Sequence, residues 1–274
     1  MIAITGGKGG TGKSTVATAL AVELAKKGNV LLMDMDVDCP NDHLILSMKT
    51  KKVKDVRTMV PVFDNEKCTK CGRCREVCME NAIVQVKDRY PFVVADQCTG
   101  CRACQLACPA GAIGEKDQSI GEVRFGRGRV DLVTGMIRPG VEESSLVVNG
   151  AKKYAKGIER NYDYIVIDTA AGTHCPVIAA LLGVKQGIAV TEPTPLGNHD
   201  LGLILELMKK LGMKSSVIIN RSDIADDKST LDVVKKHGSN VAGRIPYSRK
   251  IARDYAAGKP LCHETIKKIA EGLS

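Results

Sequence analysis

Tryptophan is absent from this 274-residue chain, and aromatic residues make up only 3% of it. Single-stranded nucleic-acid binders stack bases on such rings, so nucleic acid is not an expected partner. Long apolar runs are missing too: none approaches the roughly 18 consecutive residues of a membrane span, and no spanning segment is expected. No low-complexity linker or long charge run divides the chain. Because a strand-like run already begins at Ile2, no secretory leader is expected, and the expected location is the cytoplasm. In that reducing compartment disulfides are disfavoured, and the eleven cysteines become candidates for metal ligation.

With 44% hydrophobic residues the chain can bury a sizeable core, either one large domain or a domain with a small insert. Ile2 to Thr5 reads as a short buried strand, followed by a glycine-rich stretch and then Val16, Leu20 and Leu24 at helical spacing. Lys26 and Lys27 are expected in the last turn of that helix, with Gly28 just past it. Further strands are expected at Val30 to Met35, Tyr164 to Ile167, Gly187 to Val190, Val217 to Ile219 and Val241 to Ile245. Helical stretches such as Leu201 to Leu211 and Ser229 to His237 lie between several of them. This alternation predicts an α/β fold, a mostly parallel sheet with helices on both faces.

The alternation breaks between residues 61 and 115. Cys68, Cys71, Cys74 and Cys78 recur, displaced by 30 residues, as Cys98, Cys101, Cys104 and Cys108, and Asn81-Ala82-Ile83 recurs as Gly111-Ala112-Ile113. A fixed offset across ligands and flanks indicates a twice-repeated unit, each half giving a cysteine loop and a short helix. The expected organisation is therefore a discontinuous domain, residues 1–60 and 116–274, interrupted by an inserted α+β module at 61–115.

Gly7-Lys8-Gly9-Gly10-Thr11-Gly12-Lys13-Ser14 satisfies the P-loop pattern between a strand and a helix. Its glycines let backbone N–H groups converge on phosphate oxygens, where the helix N-terminus adds partial positive charge. Lys13 is expected to reach the β and γ phosphates of ATP, and Ser14, followed by Thr15, to ligate Mg²⁺. Lys8 lies outside the ordinary pattern, and with it the motif resembles the deviant Walker A of the MinD/ParA superfamily, which includes the nitrogenase iron protein and Mrp-type ATPases. That resemblance implies a homodimer with nucleotides sandwiched at its interface and Lys8 reaching the partner's phosphates. It also implies that Asp36, in the run Asp34 to Asn41, orients the attacking water. Asp168, opening Asp-Thr-Ala-Ala-Gly172, resembles a Walker B acid holding Mg²⁺ through water. Asn220-Arg221 resembles the adenine-recognising position and Ile245-Pro246-Tyr247 the last nucleotide-side loop.

The run Cys-x2-Cys-x2-Cys-x3-Cys, present twice, is that of bacterial two-cluster ferredoxins, in which three close thiolates cap one 4Fe-4S cube and the fourth crosses to the other. One cluster is then expected on Cys68, Cys71, Cys74 and Cys108, the other on Cys98, Cys101, Cys104 and Cys78. The second run ends in Cys108-Pro109 as the pattern expects, whereas the first reads Cys78-Met79. Zinc is the alternative, although its usual spacing is paired Cys-x2-Cys. Two loaded clusters would add about −8 from thiolates and about +4 from the cores, bringing the formal charge of +9 to roughly +5, an ordinary basic surface. Cys262 is expected to be a small buried hydrophobe. Cys39 and Cys175 fall in the two switch segments; for Cys175 both packing and a redox or ligand role stand open.

The resemblance implies a nucleotide-gated iron–sulfur protein. The expectation is an ATPase that gates electron transfer to an unidentified redox partner. The alternatives are an iron–sulfur assembly or carrier ATPase delivering to a metallocluster acceptor, and a MinD/ParA-like positioning switch.

Overall fold

Short, wholly apolar strands flanked by amphipathic helices fold into layers because both faces of each strand must be covered. The computed structural model describes residues 1–273. In chain order its elements are β1 (Ile2–Thr5), α1 (Lys13–Leu24), β2 (Val30–Met35), α2 (Asp42–Ile45), β3 (Lys51–Phe63), α3 (Arg73–Glu76), β4 (Ile83–Val84), β5 (Phe92–Val93) and α4 (Ala103–Leu106). There follow β6 (Ile113–Gly126), β7 (Asp131–Ile137), α5 (Ser144–Ile158), β8 (Tyr164–Thr169), α6 (Cys175–Leu181), β9 (Gln186–Thr191), α7 (Pro195–Lys210), β10 (Lys214–Asn220), α8 (Lys228–Lys236), β11 (Asn240–Ile245), α9 (Arg249–Ala256) and α10 (Glu264–Glu271).

One sheet carries nine strands in the order β11-β10-β9-β1-β8-β2-β7-β6-β3. The strands from β11 to β7 pair in parallel, while β6 and β3 continue the sheet antiparallel. Strands β1 and β2 are buried along their whole length, as the sequence predicts for the centre of a doubly covered sheet. Leu20 and Leu24 of α1 and Ile266 of α10 fill one face. Val147 and Ala151 of α5, Val177 of α6 and Leu201 and Met208 of α7 fill the other.

Helix α1 stops at Leu24, earlier than expected: Lys26 and Lys27 lie in the turn beyond it. Past Leu24 the backbone tightens to shorter-range bonds, Lys26 N–H to the Glu23 carbonyl (3.1 Å) and Lys27 N–H to the Leu24 carbonyl (2.8 Å), while the Lys27 ammonium donates to the Ala270 carbonyl at the end of α10 (2.9 Å).

The cysteine-rich segment hangs from the two antiparallel strands. β3 and β6 pair from Lys51 opposite Phe125 to Phe63 opposite Ile113, and Pro61 and Glu115 are direct register partners. Beyond that pair lie α3, α4, the small β4–β5 ladder and a helical turn at Ala95–Gln97. The thirty-residue repetition extends to the backbone: left-handed conformations fall at Lys70 and Gly100, at Gly72 and Arg102, and at Asn81 and Gly111. Each pair contains one glycine and one residue that tolerates the conformation less well, so the two halves fold alike although only one is free of strain at each position.

Candidate functional site

The glycine loop leaves β1 and enters α1 at Gly12, whose φ of 95° is left-handed. A Cβ there would also stand 2.5 Å from the Asn220 amide nitrogen, so the position admits glycine alone. That amide donates to the Thr11 carbonyl (2.7 Å), joining the end of β10 to the loop. Gly7 packs against the Asp200 backbone, while Gly9 and Gly10 face open space. Lys13 is 7% exposed and its ammonium donates to the Lys8 carbonyl (3.1 Å). Burial lowers the Lys13 pKa, and the carboxylates of Asp168 and Asp36 oppose that shift.

A cavity of about 410 Å³ opens beside this loop, a size suited to a small-molecule ligand. Gly12, Lys13, Ser14 and Thr15 line it together with Asn220, Arg221 and Pro246. Tyr247, in the loop foreseen after the last strand, lines the cavity too, whereas sequence reasoning missed Ile251 and Tyr255, which α9 lays over it. Their signal is an apolar pair four residues apart on a short, strongly charged helix, which reads from sequence as a surface helix.

Three acids gather at the floor. Asp34, Asp168 and Thr134 are register neighbours on β2, β8 and β7, so their side chains leave the sheet on one face. Asp42, opening α2, turns its carboxylate into the same space, and oxygens of Asp34, Asp42 and Asp168 lie within 4.8 Å of one another. Burial followed by mutual repulsion holds Asp34 and Asp42 well above the carboxylate range. Burial also pushes Asp168 up to about 7, against the pull of Ser14 and Lys13. Ser14 approaches Asp168 without completing a hydrogen bond, and the oxygens of Asp42 and Asp168 have no partner. Orphaned carboxylate oxygens beside a hydroxyl are the oxygen donors that Mg²⁺ takes, so these residues fit the ion. Asp36 stands half-buried at the cavity, its pKa raised by burial.

Lys8 does not point into the cavity. Its ammonium stands 3.8 Å from a carboxylate oxygen of Glu192, whose other oxygen takes the Arg221 guanidinium. Neither Glu192 nor Asp42 is foreseeable from the sequence, because both reach the site only through strand order and loop return.

In the cysteine-rich segment, Cys68, Cys71, Cys74 and Cys108 line one cavity of about 20 Å³. Cys98, Cys101, Cys104 and Cys78 line another of about 270 Å³. Three thiols of each set come from one run and the fourth from the other. A single zinc ion would draw its sulfurs to roughly 3.8 Å apart, from a Zn–S bond of about 2.3 Å. Among the described residues, no three of these thiols gather within 4.8 Å of one another. The backbone N–H of Ala112 already donates to the Cys108 sulfur (3.3 Å). Buried Cys74, Ile83 and Cys104 form a small core here, with Phe63, Cys78 and Ile113 packed against it.

Cys262 is exposed, against expectation: its neighbour Leu261 takes the buried place instead. Cys39 and Cys175 are exposed as well, so packing is not what either side chain does, and neither lines a thiol cavity.

Residues 2–261 match the family described as the CobQ/CobB/MinD/ParA nucleotide binding domain. An uncharacterized protein of Methanocaldococcus jannaschii is 34% identical over 94% of this chain and 90% of its own length. The septum site-determining protein MinD of Thermotoga maritima is 26% identical over 81% of this chain and 64% of its own length. Among solved structures, the septum site-determining protein MinD of Pyrococcus horikoshii, complexed with Mg-ADP, superposes with a TM-score of 0.59 at 20% identity, covering 100% of this chain and 95% of that one. At that identity the likeness shows the fold.

Proposed function

The chain belongs to the CobQ/CobB/MinD/ParA nucleotide-binding family; we propose that it is an ATP-hydrolysing MinD/ParA-like switch and, from its two cysteine runs rather than from that membership, that the switch gates iron–sulfur electron transfer to a partner protein. ATP would close a homodimer around its nucleotides. Lys13 would hold the β and γ phosphates, with Ser14 and, through water, Asp168 holding Mg²⁺; the ion supplies charge neutralisation at the phosphates. Asp36 would orient the attacking water, Asn220, Arg221 and Pro246 would receive the base, and Lys8 would cross to the partner's phosphates.

The observation that carries the iron–sulfur half is the crossed lining of the two thiol cavities, each with three cysteines from one run and one from the other. Cys68, Cys71, Cys74 and Cys108 would hold one 4Fe-4S cluster, and Cys98, Cys101, Cys104 and Cys78 the second; bound there, the clusters supply one-electron chemistry. The second set is the nearer to the nucleotide domain, since Met59 and Pro61 of β3 share its cavity.

A short covalent and hydrogen-bonded route joins that set to the first switch segment. The Ile137 N–H donates to the carbonyl of Val37, next to Asp36 (3.0 Å). The following residue, Arg138, pairs with Asp96, which also accepts from Gln118 (3.1 Å) and lies two residues before Cys98. Movement of Asp36 would therefore reach Cys98 without passing through the length of β3. Arg138→Ala is expected to reduce, by half or more, any shift in the near cluster's potential on adding ATP. Iron content and ATP turnover should be unchanged; redox titration with and without ATP reads the effect.

Anaerobically prepared protein tests the whole reading. About eight irons per chain, a reducible electron paramagnetic resonance signal and an ATP-dependent change in potential or in partner affinity are expected. Stoichiometric zinc, or clusters indifferent to ATP, overturns it, and transfer of iron to an apo acceptor would replace it with the carrier alternative. A second reading, a positioning switch, is favoured by relatives named septum site-determining proteins. ATP-dependent co-sedimentation with liposomes or DNA, with clusters unresponsive to nucleotide, would select it. Among the described residues no helix is long and apolar enough to cross a membrane.

A further inference from the structure

Glu192 has no part in the mechanism above, yet it is buried against Lys8 of the glycine loop. It directly follows β9 and is 4% exposed. Its backbone is locked into the turn that opens α7: its carbonyl accepts from the Thr194 N–H (2.8 Å), and the Thr194 side chain caps the helix by accepting from the Gly197 N–H (3.0 Å). A side chain at Gly197 would collide with that same carbonyl, at 2.4 Å. Glu192 is thus a fixed anchor, whereas its two partners, Lys8 and Arg221, are each partly open to solvent.

A buried carboxylate is tolerated only while it is paired, and stripping it of its last cation is strongly unfavourable. Glu192 has two cations, one on each oxygen. Either can leave as long as the other stays. Lys8 also has two possible anionic partners: Glu192 in its own protomer, or phosphates across a dimer interface.

We propose that Glu192 is a positioning residue that latches Lys8 inside its own protomer, and that Arg221 keeps Glu192 paired when Lys8 departs. The latch rests on the reading that Lys8 acts across a nucleotide-bound dimer. It sets the threshold for closure, because dimer formation must outcompete two such pairs, one per protomer. The arrangement gives two substitutions opposite signs. Removing the Glu192 charge frees Lys8 and favours the dimer. Removing Arg221 makes the departure of Lys8 leave a bare buried carboxylate, and disfavours the dimer.

Sedimentation of the full chain in saturating ATP and Mg²⁺, on an Asp36→Ala background to stop turnover, reads this directly. Glu192→Gln is expected to lower the dimer dissociation constant about ten-fold, from two modest ion pairs released per dimer. Arg221→Ala is expected to raise it, with nucleotide saturation verified separately. Lys8→Ala is expected to abolish dimerisation and to erase the effect of Glu192→Gln in the double variant. If Lys8→Ala dimerises like the parent, or the parent ignores ATP, the dimer reading falls and takes the latch with it. If Lys8→Ala behaves as expected but Glu192→Gln dimerises no better than the parent, or Arg221→Ala dimerises better, the latch alone is wrong.

Discussion

Lys13→Ala is expected to lower ATP hydrolysis by about a thousand-fold and to remove nucleotide-dependent dimerisation, while iron content stays unchanged. The Lys13 ammonium is the cation nearest the place where phosphate charge would develop, and such donors are worth two to three orders of magnitude in rate. Asp168 and Asp36 also help hold it charged against burial. Without it the carboxylates of the floor face incoming phosphates with nothing between them except the metal. Calorimetric titration with Mg-ATP should therefore lose the binding isotherm as well as turnover. The thiol cavities share no residue with the nucleotide cavity, so iron should be unaffected. Loss of iron together with turnover would mean that the two halves do not fold independently.

The second large effect concerns the acids under the loop. In nucleotide-free, metal-free protein, Asp42→Asn is expected to raise the unfolding midpoint by about 5 °C at pH 8 and by little at pH 5. Asp42 is 0% exposed and shares its space with Asp34 and Asp168, so at high pH three like charges meet without solvent. All three carboxyls sit above the ordinary range, Asp168 at about 7. The folded protein therefore holds protons that the unfolded chain gives up from about pH 4. Stability is highest below that value and falls as pH rises through the folded pKa values. Removing one acid relieves about 1–2 kcal/mol of that cost, or several degrees for a chain of this size. Differential scanning calorimetry in chelator at both pH values checks this, and an equal gain at both would exclude charge repulsion as the cause.

Six of the seven parallel strands were legible as short apolar runs, whereas β7 was not, and the glycine loop and cysteine runs were legible because their residues keep a fixed spacing. The antiparallel edge was not legible. Lys51-Lys52-Val53-Lys54 carries the charge typical of a protected edge strand and has no apolar alternation, so nothing in it announces thirteen residues of strand. The floor of the site was half legible. Asp34, Asp36 and Asp168 end strands, but Asp42 belongs to a four-residue helix whose burial depends on how the chain returns after β2. Glu192 was hidden for the same reason: its role lies in two cations from other loops, brought to it by the order β10-β9-β1. Cys262 misled because its residue type is commonly buried, whereas the neighbouring Leu261 fills that place.

The register pair of Pro61 and Glu115 has an evolutionary side. Excising the chain between them and closing the gap with a tight turn would leave an ordinary β-hairpin at the sheet edge, with every parallel strand and every residue of the phosphate loop in place. An antiparallel ribbon is thus a graft junction: its two ends stay side by side whatever is carried at the tip. A cargo module could be acquired, duplicated or lost there in a single genetic event, without asking the nucleotide engine to refold around it.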